Sequence, residues 1–218
     1  MWNSEIVRST SATPLPTNLL QHSQAFDLWT PLGGTIVQNV ANDLLKGAAV
    51  VDRFVEQAAG VVQHSLTAPS IIFTSGITYT FSVYAKYETA AFIQLLFGSP
   101  AFGFNAWGNF DIQNGTVETM GSAATGAITN VGNGWYRISI TATATSSAAS
   151  GIVIFGANSG TMSRALSYPG STSNTRLLAG AQVEMGSRPS RLRQMEIRNA
   201  EAGAVRRGVA GGGLARHR

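Results

Sequence analysis

The side chains able to do chemistry in this 218-residue chain are few and dispersed. Its three histidines, His22, His64 and His217, have no serine or aspartate partner at a triad spacing. There is no G-x-S-x-G elbow, no H-E-x-x-H pair and no phosphate-cradling glycine loop. His22 and His64 therefore read as structural. The carboxylates between residues 18 and 187 are Asp27, Asp43, Asp52, Glu56, Glu88, Asp111, Glu118 and Glu184. Cleaving a glycosidic bond needs two carboxylates across one cleft, and each of these eight fits a solvated face or a turn. No D-x-D-x-D run occurs, although carboxylates and carbonyls in loops leave room for a structural calcium ion. No other cofactor is expected. The absence of cysteine excludes disulfides, thiolate metal sites and a thiol nucleophile.

The aromatic residues are more informative. In the run Phe102–Ile112, Phe102, Phe104, Phe110 and Ile112 share the inward parity. Trp107 takes the other face with Asn105, Asn109 and Asp111. A flat indole among amides and a carboxylate offers a sugar ring a stacking surface with hydrogen-bond partners. Covering a second sheet or a subunit contact is the competing use of the same indole. Trp107, Asn105, Asn109 and Asp111 are the candidate glycan-binding set. Trp135, directly after Gly-Asn-Gly, is expected to pack over a hairpin turn, and Trp29 beside Phe26 to plug the core.

The elements that must position these residues are strands. Ile77, Tyr79, Phe81, Val83 and Ala85 alternate with Thr78, Thr80, Ser82 and Lys86, the period of a half-buried strand. Tyr136, Ile138, Ile140 and Ala142 repeat the pattern, as do Leu177, Ala179, Ala181, Val183 and Met185. Further strands are expected at 35–40, 48–56, 61–66, 91–97, 102–112, 127–131 and 151–157. Turn signals stand between them, notably Gly98-Ser99-Pro100, Asn114-Gly115 and Gly132-Asn133-Gly134. Residues 158–174 read as one long loop. About ten strands without a long helix predict an all-β fold, an antiparallel two-sheet jelly-roll-like sandwich. An extended arm over 1–17 precedes the domain at 18–187, and an irregular Arg/Gly-rich tail, with a weak helix at 195–205, fills 188–218.

Charge sharpens the partner classes. The chain carries a net charge of +4, yet residues 1–186 hold 7 basic and 9 acidic side chains, and residues 187–218 hold 8 arginines and 2 acidic ones. The body is net −2 and lacks the clustered basic residues with interleaved aromatics that nucleic acid requires. No specific nucleic-acid partner is expected. Neither a secretory signal pattern nor an apolar run long enough to span a membrane is present.

Five segments in order resemble a known family: Asn18 to Phe26 followed by Trp29-Thr30; Val51 to Glu56; Ile77 to Lys86; Asn130-Val131-Gly132-Asn133-Gly134-Trp135-Tyr136-Arg137; and Gly180-Ala181-Gln182-Val183-Glu184-Met185-Gly186-Ser187. Together they are similar to the carbohydrate-binding-module-like jelly-roll domain of tailed-phage virion proteins, those of tail fibres, head fibres and capsid decoration. The resemblance covers residues 18–187 and carries no site motif. It implies a non-enzymatic adhesion or display module on a virion surface. Virion structural proteins and sister subunits, in a trimer, would be its partners, with host-surface glycan as ligand. A free-standing lectin-like module is the second reading, and a glycan-degrading enzyme the third. The family's closing strand after Gly186-Ser187 is replaced here by Arg188-Pro189-Ser190-Arg191.

Overall fold

A computed structural model describes residues 17–41, 51–58 and 60–190. The expected arm, except for Thr17, and the tail beyond Ser190 with its helix lie outside them, as do Asp43 and His217.

Two six-stranded sheets pack face to face, and every strand pairing is antiparallel. The first sheet runs in the order β1 (Thr30–Leu32), β5 (Ser65–Thr67), β14 (Ile152–Ala157), β8 (Phe92–Phe97), β9 (Trp107–Asp111), β10 (Thr116–Met120). The second runs β11 (Thr125–Gly132), β12 (Trp135–Thr143), β7 (Thr78–Tyr87), β16 (Thr175–Met185), β3 (Val51–Glu56), β2 (Gly34–Ala41). Two short ribbons complete the jelly-roll sandwich: β6 (Ile71–Phe73) with β13 (Ala148–Ser150), and β4 (Val61–Val62) with β15 (Tyr168–Pro169). No helix among the described residues is long and apolar enough to cross a membrane.

Alternation builds the core. Tyr79, Phe81, Val83 and Ala85 of β7 are fully buried, facing Ile93, Leu95 and Phe97 of β8 within one cluster. Phe73, Phe97 and Phe102 close one end, with Phe97 stacked on Phe102 at 4.2 Å and Phe73 edge-on to Phe102 at 4.8 Å. Each such ring contributes about 1.5–3 kcal/mol through burial. Phe26 and Trp29 plug the core as expected, 5.0 Å apart.

Four local expectations need correction. The strand expected from Phe102 begins at Trp107, because Pro100 opens a single helical turn, α1 (Ser99–Phe102). That turn rotates Phe102 into the core and leaves Phe104 69% exposed instead of inward. In β16 the register shifts between Ala179 and Gln182, with Gly180 at φ 53°. The extra residue reverses parity, as a bulge must. Leu178, Ala181 and Val183 enter the main core, whereas Leu177 and Ala179 lie on the opposite face and Met185 is exposed. On that opposite face Trp135 is fully buried with Tyr84, Leu177, Ala179 and Val51, rather than capping a turn. The segment 158–174 is not wholly irregular, since β15 lies within it. Beyond β16 the chain turns back, and Ser190 donates its backbone N–H to Glu184 at 2.7 Å.

Candidate functional site

The antiparallel register sets out two rows of side chains across the outer face of the first sheet. Thr67, Val153, Leu96 and Trp107 align across β5, β14, β8 and β9. Ser65, Phe155, Gln94 and Asn109 form the adjacent row. The two rows have different fates because residues 160–165 lie over the second. The Asn109 amide donates to Gly160 O at 3.0 Å and Met162 O at 2.7 Å. Its Oδ1 accepts from Gln94 Nε2 at 2.8 Å, and Gln94 Oε1 accepts from the Ala165 N–H at 2.7 Å. From the other side Gln63 Nε2 donates to Ala165 O at 2.7 Å.

This places the four residues singled out in the sequence differently from one another. Asn109 is completely buried, its amide committed to the loop. Asp111, 6% exposed, accepts the N–H groups of Gln113 and Asn114 and the Asn114 amide, and so stabilises the Asn114-Gly115 turn. Neither presents its polar atoms to a ligand. Asn105 is exposed, and its carbonyl accepts the Ala123 N–H at 3.1 Å. Trp107 is half-buried, with Gly121 packed so closely that a Cβ there would stand 2.7 Å from the indole Nε1. The four share a parity but do not form one exposed patch.

Most of the carboxylates are structural. Asp52 accepts the N–H groups of Phe26 and Asn39, and burial pushes its carboxyl up despite those bonds. Glu88 pairs with Arg53, which holds it below the usual carboxylate range. Glu56 is buried against Arg176 at 2.7 Å and also accepts from Tyr168 Oη and Asn174. Burial alone would raise Glu56; the Arg176 charge and these hydrogen bonds outweigh it and hold the carboxyl low. The Tyr168 hydroxyl is pushed up, first by burial and then by Glu56. His64, fully buried, stands between Gly33 O at 2.6 Å and Tyr168 O at 3.0 Å. His22 sits in a turn at φ 58°, its carbonyl accepting from Trp29 Nε1. Among the described residues no three His, Asp or Glu gather into a metal-binding group.

The open row is the floor of a trough of about 540 Å³. Val153 and Leu96 supply apolar surface, with Thr67 at one side. The loop held by Asn109, Gln94 and Gln63 forms one long wall and contributes Arg164. Ser99, Pro100 and Ser150 stand opposite, and β1 closes an end through Pro31 and Leu32. Three buried side-chain polar atoms among the described residues lack a hydrogen-bond partner, and two of them, Ser150 Oγ and Arg164 Nε, belong to residues lining this trough. Burial lowers the Arg164 pKa, and no carboxylate offsets it. The Arg164 guanidinium stands over the Phe104 ring at 5.2 Å. Sequence reasoning missed Arg164; the available signal was that it is the only charged residue between 158 and 174.

No protein-family model and no curated protein matches the chain. Several solved structures resemble it. One is the C-terminal CBM6 of LamC, a marine laminarinase from Zobellia galactanivorans, at 9% identity and TM-score 0.39, covering 78% of this chain and 98% of that one. A β-1,3-glucan-binding CBM6 from Bacillus halodurans shows 10% identity and TM-score 0.35, covering 76% and 92%. The N-terminal cellulose-binding domain of Cellulomonas fimi β-1,4-glucanase C shows 16% identity and TM-score 0.36, covering 76% and 95%.

Proposed function

We propose that this chain is a glycan-binding module whose ligand lies across the strands in the trough on the first sheet. The observation that carries the reading is the trough itself, floored by Thr67, Val153 and the nearly buried Leu96 and walled by residues that include Ser150 and Arg164. A sugar ring has C–H faces that suit the apolar floor and hydroxyls that suit polar walls. Arg164 is the only charged side chain among the described residues that line the trough.

Val153→Trp is the direct test, because the indole would fill the floor from a position already facing outward. Binding to a glycan panel is expected to weaken about tenfold or more, with the folded state intact by near-ultraviolet circular dichroism. Undiminished binding by this variant would exclude the trough. For the setting, we propose display on a virion surface as a homo-oligomer, supported by the five ordered segments within residues 18–187. Sedimentation equilibrium checks the assembly, and a strict monomer at micromolar concentration counts against it.

A further inference from the structure

We propose that the trough selects a carboxylate-bearing sugar, a uronic acid unit, through the Arg164 guanidinium. This rests on the glycan reading above and adds the chemical class of the ligand. Arg164 is the only charged side chain among the described residues lining the trough. It has no ion-pair partner among the described residues, unlike Arg53 and Arg176, which are paired with Glu88 and Glu56. Its Nε is buried and makes no hydrogen bond. The side chain is held partly out of water with its Nε donor unspent.

The surroundings orient it. The loop that carries Arg164 is fixed on both sides, by Gln94 and Gln63 to Ala165 and by Asn109 to Met162. The guanidinium carbon lies 5.2 Å from the Phe104 ring centroid, within cation–π range. A cation–π contact uses no N–H group, so the guanidinium keeps its donors for an acceptor in its own plane. A planar carboxylate matches the edge with two parallel hydrogen bonds, which an ammonium or a neutral amide cannot reproduce. The body of the chain, net −2 through residue 186, supplies no general attraction for anions, so the preference is local to this side chain.

Calorimetric titration of the full chain with an oligogalacturonate and with its carboxyl-reduced neutral counterpart tests this. The charged sugar is expected to bind about 10- to 100-fold more tightly, as a charge-assisted pair implies. Arg164→Gln is expected to erase that preference, so that the charged and the reduced sugar bind with about equal affinity. Arg164→Lys, which keeps the charge without the fork, is expected to restore only a minor part of it. Equal affinity of the native protein for the two sugars, or a preference that survives Arg164→Gln, overturns the carboxylate assignment and leaves the glycan reading standing. Tighter binding of a sulfated oligosaccharide than of the oligogalacturonate also overturns it. Failure to bind either sugar, or any member of a neutral and acidic glycan panel, overturns the glycan reading itself.

Discussion

Trp107 and Leu96 are neighbours in register, yet only Leu96 lines the trough. The indole is half-buried against Gly121, so its surface is already used for packing. Trp107→Ala is therefore expected to cost about 1–3 kcal/mol of stability through lost burial while leaving glycan affinity close to that of the native protein. Chemical denaturation alongside titration separates the two effects; a large affinity loss at full occupancy of the folded state would return Trp107 to the binding surface. The shared parity of Trp107, Asn109 and Asp111 was legible because one unbroken strand, β9, runs from Trp107 to Asp111. The burial of Asn109 was not, since the carbonyls it meets lie 51 and 53 residues further along the chain. Arg164 was invisible for the same kind of reason: a single arginine in a Ser/Thr/Gly loop has no periodicity to declare its direction.

The loop of residues 158–174 owes its shape to buried amides rather than to regular structure. Asn109 satisfies two of its carbonyls and receives Gln94, so removing the Asn109 amide leaves several polar groups without partners. Asn109→Ala is expected to destabilise the fold by about 1–3 kcal/mol. It should also raise amide hydrogen exchange at residues 160–165 and weaken glycan binding by loosening the wall that holds Arg164. Unchanged exchange in that segment would show the loop to be held otherwise. Composition marked this segment as a loop without showing β15 inside it, and composition cannot reveal where a loop is pinned. A similar limit applies to β16. Its alternation is regular in the sequence, and the bulge at Gly180 reverses the faces midway. Glycine there was a permitted cue to a bulge, yet an equally good fit to an uninterrupted strand.

The two sheets and this loop meet at one buried ion pair. Arg176 leaves β16 of the second sheet, pairs with Glu56 of β3, and donates to the carbonyls of Phe92 and Ala157 in the first sheet. Tyr168 brings the loop to the same carboxylate at 2.5 Å. The sandwich itself was legible from alternation and turn residues, which are local properties; this junction was not, because Glu56 and Arg176 are 120 residues apart. Glu56 is held below its ordinary pKa, so its ionised form favours the folded state. That contribution is present above the unfolded value of 4.5 and is lost as pH falls through the lower folded value. Asp52, whose pKa is raised by burial, acts in the opposite sense and regains stability for the fold as it protonates. Comparison with Glu56→Gln isolates the first effect. The variant is expected to be about 3–5 kcal/mol less stable near pH 7, because Arg176 loses its buried counter-charge. Its stability should change less than that of the native protein between pH 7 and pH 3. Urea unfolding at the two pH values provides the measurement. Parallel losses in the two proteins would mean that the junction holds the sheets together without linking their stability to the charge on Glu56.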